Sequence, residues 1–365
     1  MIEKELVIIG AGPAGLAGAI AAAEAGAQVL VIDRSPLVGG QLVKQTHKFF
    51  GSEKQYAKTR GFDIAKRLIA EAEIRKDKIE IMTDTTVAGL YPDRVVSIVR
   101  ANRYQKIQAG AVIVAAGASE KILAFENNDL PGIYGAGAVQ TLMNVYGVIP
   151  GHRILMVGSG NIGLIVSYQL LQAGVEVAAV VEAAPTISGY KVHAAKIARL
   201  GVPILTGTTI RKAEGLDAVE KVETISLDAD WQPIPGTERS FVVDAVCIAV
   251  GLSPLHQLLS MAGARTAFIP ELGGFVPLLS DEHETTLANV FAAGDAAGVE
   301  EASSAMVEGR LAGLCAARKL GHVHPDFDHE VADCHEQLAA LRNGPFGKKI
   351  LAGIAKMREV TRHAR

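Results

Sequence analysis

The chain has 365 residues, 49% hydrophobic and 21% charged, with a formal net charge of −3. That length accommodates two domains with separate cores, and the apolar share excludes a disordered chain, because enough apolar surface is available to offset the entropy of ordering it. The charge balance excludes a basic field that would gather nucleic acid or anionic lipid, so neither is expected as a partner.

In chain order, Leu6 to Ile9 is a short apolar run ended by Gly10, Ala14 to Ala25 is an alanine-rich helical stretch ended by Gly26, and Val29 to Ile32 is a buried strand ended by Asp33. Strand, glycine turn, helix and strand within about 30 residues make a βαβ unit. Its turn, Gly10-Ala11-Gly12-Pro13-Ala14-Gly15, fits the dinucleotide fingerprint. The first glycine permits the turn, the second admits a pyrophosphate, and the third lets helix pack on strand. The helix start offers free N–H groups to phosphate. Asp33 stands 18 residues after Gly15, where a carboxylate accepts bonds from ribose hydroxyls, and Arg34 beside it is counted with the same site.

Ile79 to Met82, Val95 to Arg100 and Tyr104 to Gln108 read as a small antiparallel meander. Ala109 to Ala118, which contains Ala116 and Gly117, and Asp244 to Leu252, which contains Gly251, are similar apolar runs closing on glycine. Such strand ends bring backbone close to something, so Ala116 and Gly117 join the first site and Gly251 a second one. Between them the βαβ order recurs: Ile154 to Val157, the turn Gly158-Ser159-Gly160-Asn161-Ile162-Gly163, a helix through Leu171, and a strand Val177 to Val181 ended by Glu182, 19 residues after Gly163. Gly158, Gly160, Asn161, Ile162, Gly163 and Glu182 are the second nucleotide set. The acid, with no Arg or Lys between Val180 and Tyr190, disfavours a 2′-phosphate, so NAD is expected rather than NADP.

Toward the C-terminus, Asn289 to Asp295 is a buried strand ending in Gly294-Asp295, and Ser303 to Leu320 is helical. Pro325 to His329 reads as a linker. Val331 to Val360 is a charged amphipathic helical stretch interrupted at Gly344-Pro345 and Gly347. Its apolar positions Leu338, Leu341, Ile350, Leu351 and Ile354 need cover, either from a partner or from the chain's own first domain. The three cysteines, Cys247, Cys315 and Cys334, form no C-x-x-C pair and no metal-ligand spacing, so no metal site and a reducing cytoplasm are expected. Cys247 and Cys315 lie in apolar segments; Cys334 is the one expected to be exposed. The start of the chain passes directly into a strand without a targeting pattern, and no run reaches the roughly 18 apolar residues of a membrane span.

These motifs in this order, over about residues 1–320, resemble two-dinucleotide-binding flavoproteins of the thioredoxin reductase-like type. The resemblance implies an α/β fold of two Rossmann-like dinucleotide-binding domains, the NAD domain inserted in the FAD domain, plus a helical C-terminal tail. The expected boundaries are 1–118 and 244–322 for the FAD domain, 119–243 for the NAD domain and 323–365 for the tail. It also implies that Asp295, with Gly294, holds the ribityl or pyrophosphate part of FAD. Gly39-Gly40-Gln41-Leu42, followed by Val43 to Phe50, would pass beside the isoalloxazine, so that Gly40, Gln41 and Thr46 become flavin contacts. His47 is the titratable residue nearest this segment, a candidate proton shuttle set against an ordinary structural histidine.

The sequence departs from disulfide reductases in having no cysteine between residues 119 and 243, which removes the usual dithiol route. Gly294 to Ala302, Ala305 to Gly313, and the Pro-Gly turn Asp129 to Tyr134, read as leading into a helix, are similar to the FAD/NAD subunits of multicomponent amine and amino-acid dehydrogenases. These are the hydrogen cyanide synthase, opine oxidase and dye-linked proline dehydrogenase type. Relatives often carry C-terminal cysteines for an iron–sulfur centre; here Cys334 stands alone, so such a centre would sit on a partner. The leading expectation is the nucleotide-binding subunit of an oligomeric multicomponent dehydrogenase with a flavoprotein partner. Two alternatives stay open: a self-contained NADH-dependent reductase for ferredoxin, quinone or another acceptor, and a non-catalytic nucleotide-binding scaffold.

Overall fold

The structure, a computed structural model, describes residues 1–49, 52–344 and 347–364. Phe50 and Pro345, named above at the flavin segment and at the tail interruption, lie outside the described residues. From the N-terminus, β1 (Ile2–Ile9), α1 (Pro13–Ala25), β2 (Val29–Ile32), α2 (Gly61–Ile74) and β3 (Ile79–Met82) precede β4 (Thr85–Leu90), β5 (Val95–Arg100) and β6 (Arg103–Val114). Next come β7 (Ala118–Glu120), β8 (Ile133–Gly135), α3 (Ala136–Tyr146), β9 (Arg153–Val157), α4 (Asn161–Gln172), β10 (Glu176–Glu182), α5 (Lys191–Arg199) and β11 (Ile204–Thr206). They are followed by β12 (Thr208–Glu214), β13 (Lys221–Ser226), β14 (Arg239–Val242), β15 (Ala245–Ile248) and β16 (Leu252–Pro254). The chain closes with α6 (Gln257–Met261), β17 (Thr266–Ile269), β18 (Gly274–Pro277), β19 (Val290–Ala292), α7 (Ala302–Lys319), α8 (Phe327–Leu341) and α9 (Gly347–Ala364).

Two units emerge, Met1–Ser119 with Ser253–Arg365, and Glu120–Leu252. In the first, the strands run in the order β3-β2-β1-β6-β5-β4, with β19 also paired to β6. β3, β2, β1, β6 and β19 are mutually parallel, whereas β4, β5 and the start of β6 are antiparallel. β6 serves both roles: Arg103–Gln108 pairs with β5 and Val112–Val114 with β19. Ile79–Met82 is therefore not part of the meander. Its register against Val29–Ile32 places it at the edge of the parallel sheet, and Thr85–Leu90 supplies the meander's outer strand after a turn at Asp84 with φ +48°.

α1 and α7 cover one face of this sheet, and glycines let their backbones touch. A Cβ on Gly309 would collide with the Ala14 carbonyl oxygen, one on Gly313 with that of Gly18, and one on Gly18 would lie 3.0 Å from that of Gly309. The tail belongs to this unit. Phe327, Cys334 and Leu338 of α8 are buried with α1 and α7 residues, while Met357 of α9 joins the other sheet face, with Ile350 and Ile354 packed against it. Cover for the tail's apolar positions thus comes from the chain itself, with Leu351 left exposed. Cys334 is 1% exposed, contrary to expectation, because it faces inward from α8. α8 also starts within the expected linker, at Phe327.

The second unit centres on the parallel sheet β11-β10-β9-β15-β8, with a separate antiparallel sheet β12-β13-β14. β15 pairs with β9 through Val246–Leu155 and Cys247–Met156 and with β8 through Val246–Ile133. Residues 244–252 consequently belong to the inserted unit, not to the first, and the return crossing lies at Leu252–Ser253. The turn at Pro131-Gly132 leads first into β8 and only then into α3. Among the described residues no helix is long and apolar enough to cross a membrane.

Candidate functional site

β1 ends in the turn Gly10–Gly15, shaped by close backbone packing. Gly10 has φ +109°, and a Cβ there would run into the Ala115 carbonyl oxygen; a Cβ on Gly15 would strike the Gly10 carbonyl. Gly10 N donates to Ile32 O at 2.8 Å and Ala115 N to Ile9 O at 2.8 Å, so the ends of β1, β2 and β6 meet at the turn. This sets Ala116 and Gly117 directly after the β6 end, with open space beside Gly117. α1 has Gly12 as N-cap, Pro13 in its first turn and no side-chain cap, which leaves the helix start to an external anion.

Asp33 closes β2. Its Oδ2 accepts from Ala11 N at 2.6 Å and its Oδ1 from Ser35 N at 2.8 Å, and Arg34 follows it in the chain. The chain then returns over the turn: Gly39 N donates to Ala11 O at 2.9 Å, and a Cβ on Gly40 would lie 2.7 Å from Gly12 Cα. Gln41 is exposed on the short 3₁₀ segment Gly40–Lys44. Thr46 and His47 follow on the way to buried Phe49, and His47 stacks on the Phe49 ring at 5.9 Å and 14°.

Gly294 and Asp295 arrive from β19. A Cβ on Gly294 would sit 2.9 Å from Ala14 Cβ, so the Gly-Asp turn meets the start of α1. Burial pushes the Asp295 carboxyl up to about 6, against a 3.3 Å bond from Glu300 N, and the nearby Glu300 charge adds to the rise. A carboxyl held up by burial, beside a glycine cradle that side chains would fill, fits the hydroxyl and phosphate chemistry of FAD.

The second unit repeats these contacts. Gly158 has φ +106° and a Cβ there would meet the Ala249 carbonyl; one on Gly163 would meet the Gly158 carbonyl. Gly158 N donates to Val181 O and Ala249 N to Val157 O, both at 2.7 Å. Glu182 takes the place of Asp33, its Oε2 accepting from Ser159 N at 2.9 Å and its Oε1 from Ala184 N at 3.0 Å. Burial works to raise the Glu182 pKa, but bonds from Ser159, Ala184 and Ser188 outweigh it and hold the carboxyl below its ordinary value. The returning loop also recurs, with Gly189 N bonded to Ser159 O at 2.9 Å and Tyr190 N to Asn161 Oδ1 at 2.8 Å. α4 starts at Asn161 with Gly160 as its uncapped N-cap, and Ile162 is exposed beside it. Gly251 has φ +112° and its carbonyl accepts from Lys121 N at 2.9 Å, after the β15 end.

Residues that the sequence reading did not single out are Ser159, Ser188 and Gly189 in the second unit, and Glu300, Glu308 and Arg342 in the first. For Gly189 a signal exists: it follows Glu182 by seven residues, as Gly39 follows Asp33 by six. Glu308 and Arg342 meet the site only through folding back of α7 and α8, which no local spacing announces.

The pyridine nucleotide-disulphide oxidoreductase family model matches residues 4–309. An opine oxidase subunit from Agrobacterium tumefaciens is 28% identical over 334 residues, covering 87% of this chain and 66% of the relative. The alpha subunit of sarcosine oxidase from a Corynebacterium species is 29% identical over 335 residues, covering 88% of this chain and 33% of the relative. The chain thus spans about two thirds of one relative and a third of the other. The L-proline dehydrogenase structure from P. horikoshii superposes with a TM-score of 0.72 at 22% identity, over 93% of this chain and 59% of that one. The expected fold class is therefore present, with FAD and NAD(P) as the family's cofactors. With two matching glycine turns, each facing a strand-terminal acid, the chain is a flavoprotein oxidoreductase of the pyridine nucleotide-disulphide oxidoreductase family.

Proposed function

We propose that the chain exchanges electrons between NAD(H) and a partner subunit or small acceptor through FAD, as the nucleotide-binding part of a multicomponent dehydrogenase or oxidase acting on an amine or amino acid. The observation that carries this reading is the repetition, contact by contact, of the Gly10–Asp33 turn in the Gly158–Glu182 turn. Bound FAD supplies hydride exchange with nicotinamide and single-electron delivery to an acceptor. In the first unit, Gly10, Gly12, Pro13, Ala14 and Gly15 receive the pyrophosphate and Asp33 the adenosine ribose, with Arg34 beside it. Gly40, Gln41 and Thr46 lie toward the flavin, Ala116 and Gly117 flank it, and Gly294 and Asp295 hold the ribityl side. In the second unit, Gly158, Gly160, Asn161, Ile162 and Gly163 receive NAD, Glu182 its ribose, and Gly251 closes the site. His47 is the titratable candidate for moving a proton on the flavin segment; its stacking on Phe49 favours packing.

Disulfide reduction is outside this reading. The inserted unit holds Cys247 alone, fully buried, where desolvation pushes the thiol far up and away from the thiolate that exchange requires. The amine class rests on the opine and sarcosine oxidase relatives. Free thiols at Cys247, Cys315 and Cys334 suit the cytoplasm. Steady-state assays of the purified chain with NADH test the reading: slow turnover with oxygen, quinone and disulfides is expected, with rates rising on a one-electron dye. Sustained turnover of a disulfide contradicts it, and sustained turnover of a quinone makes the chain a self-contained reductase.

A further inference from the structure

The family match ends at residue 309, yet the tail beyond it is built into the Gly294-Asp295 turn. Arg342, the residue after α8, is partly buried, its side chain 12% exposed between Glu300 at 9% and Glu308 at 6%. Arg342 Nη2 donates to Glu308 Oε1 at 2.6 Å, and Glu308 Oε2 accepts from Gly294 N at 2.9 Å. On the other side, Arg342 Nη2 and Nε donate to Glu300 Oε1 at 2.7 and 3.1 Å, and Glu300 N donates to Asp295 Oδ1 at 3.3 Å. A ring results: Arg342, Glu308, Gly294, Asp295, Glu300 and back to Arg342. The adjoining cavity, about 60 Å³, is far below the roughly 300 Å³ of the smallest usual ligand pockets, so the ring is not itself a ligand site.

The same tail also holds the 3₁₀ turn Glu53–Gln55, which precedes α2. Lys54 Nζ pairs with Asp333 Oδ1 at 2.7 Å, and Gln55 bonds Gln337, both partners lying on α8. α8 therefore holds this turn as well as carrying the chain to Arg342.

We infer that Arg342 is a positioning residue for FAD: its guanidinium fork fixes the Gly294-Asp295 turn through Glu308 and Glu300, making α8 a clamp on the cofactor. This rests on the reading that Asp295 holds FAD. The fork explains why arginine is needed, since it serves two carboxylates at once in a fixed plane, whereas a lysine ammonium is a single point charge. Removing it leaves Glu300 and Glu308 without the cation they share, and the turn they hold through Gly294 N and Asp295 Oδ1 loses its anchor.

The test uses the full chain stripped of FAD and titrated with FAD by flavin fluorescence, with thermal unfolding measured with and without FAD. Arg342→Gln is expected to raise the Kd for FAD about tenfold or more, the effect of losing charge-assisted buried bonds. It should also shrink the Tm gain on adding FAD, and Arg342→Lys should recover part of both. Asp295→Asn is the reference. If Asp295→Asn weakens FAD binding while Arg342→Gln stays within about twofold of wild type, the positioning role is overturned and Arg342 only anchors the tail. If both bind as wild type, the Asp295 reading fails and the inference falls with it. Should Arg342→Gln not fold, Glu308→Gln keeps an acceptor for Gly294 N but drops the charge that binds Arg342. A weaker FAD affinity in that variant supports the clamp, and an unchanged one overturns it.

Discussion

At the scale of single residues, two groups near the Gly-Asp turn titrate with opposite effects on stability. Asp295 has its ordinary value of 3.8 raised to about 6 by burial, so the folded FAD-free chain keeps a proton that the unfolded chain has lost. Stability from this group therefore falls as pH rises from about 4 to 6. His283 is pushed by burial from 6.5 down to about 4, against its bond with the Ala292 carbonyl, and stays neutral where the unfolded chain is charged. Its contribution rises across the overlapping window. The two must be separated by difference: Asp295→Asn should gain on wild type by up to about 3 kcal/mol as pH rises through that window, measured as Tm on FAD-free protein. A flat difference profile rejects the assignment. In the second unit, Glu182→Ala should weaken NADH binding about 10- to 100-fold by titration calorimetry, the effect of losing bonds to a charged acceptor. Asp33 and Glu182 were legible because strand, glycine turn and acid are local in sequence. Arg342 was not, since it lies 34 residues from Glu308 and 42 from Glu300 and reaches both only through the return of α8.

At the scale of elements, the α1–α7 contact joins the nucleotide turn to the C-terminal half of the first unit. Gly309 packs on the Ala14 carbonyl inside the fingerprint itself, so Gly309→Ala forces the two helices apart at the start of α1, where the proposed reading places FAD. A cost of about 1–3 kcal/mol in urea unfolding is expected, with weaker FAD retention. An unchanged Cm with full flavin content would show that the helices part without consequence. The same packing explains which elements could be read in advance. The helical pattern from Ser303 was visible, but its buried glycine face was not, because an alanine- and glycine-rich helix shows little contrast between its sides. For the tail, the apolar positions at helical spacing announced a covered face without naming the cover; Cys334, on that face, was misread as exposed. The meander failed at Ile79–Met82 because a four-residue strand carries no mark of whether its partner runs parallel or antiparallel.

At the scale of the molecule, two units share one nucleotide-binding plan, and the sequence revealed both copies because each keeps its glycine turn and acid at nearly the same spacing. The return boundary was harder. Asp244–Leu252 resembles Ala109–Ala118 as a string of residues, and only the β15 register against β9 and β8 shows that it closes the inserted unit, as β6 does the first. The central claim of the proposed function is that NADH bound at the second turn reduces FAD bound at the first. Anaerobic stopped-flow mixing of the FAD-loaded chain with NADH or NADPH, following the visible band of oxidised flavin, tests it most directly. Rapid bleaching by NADH, much slower bleaching by NADPH, and loss of the NADH response in Glu182→Ala are expected. A flavin that stays oxidised with both nucleotides would contradict the claim.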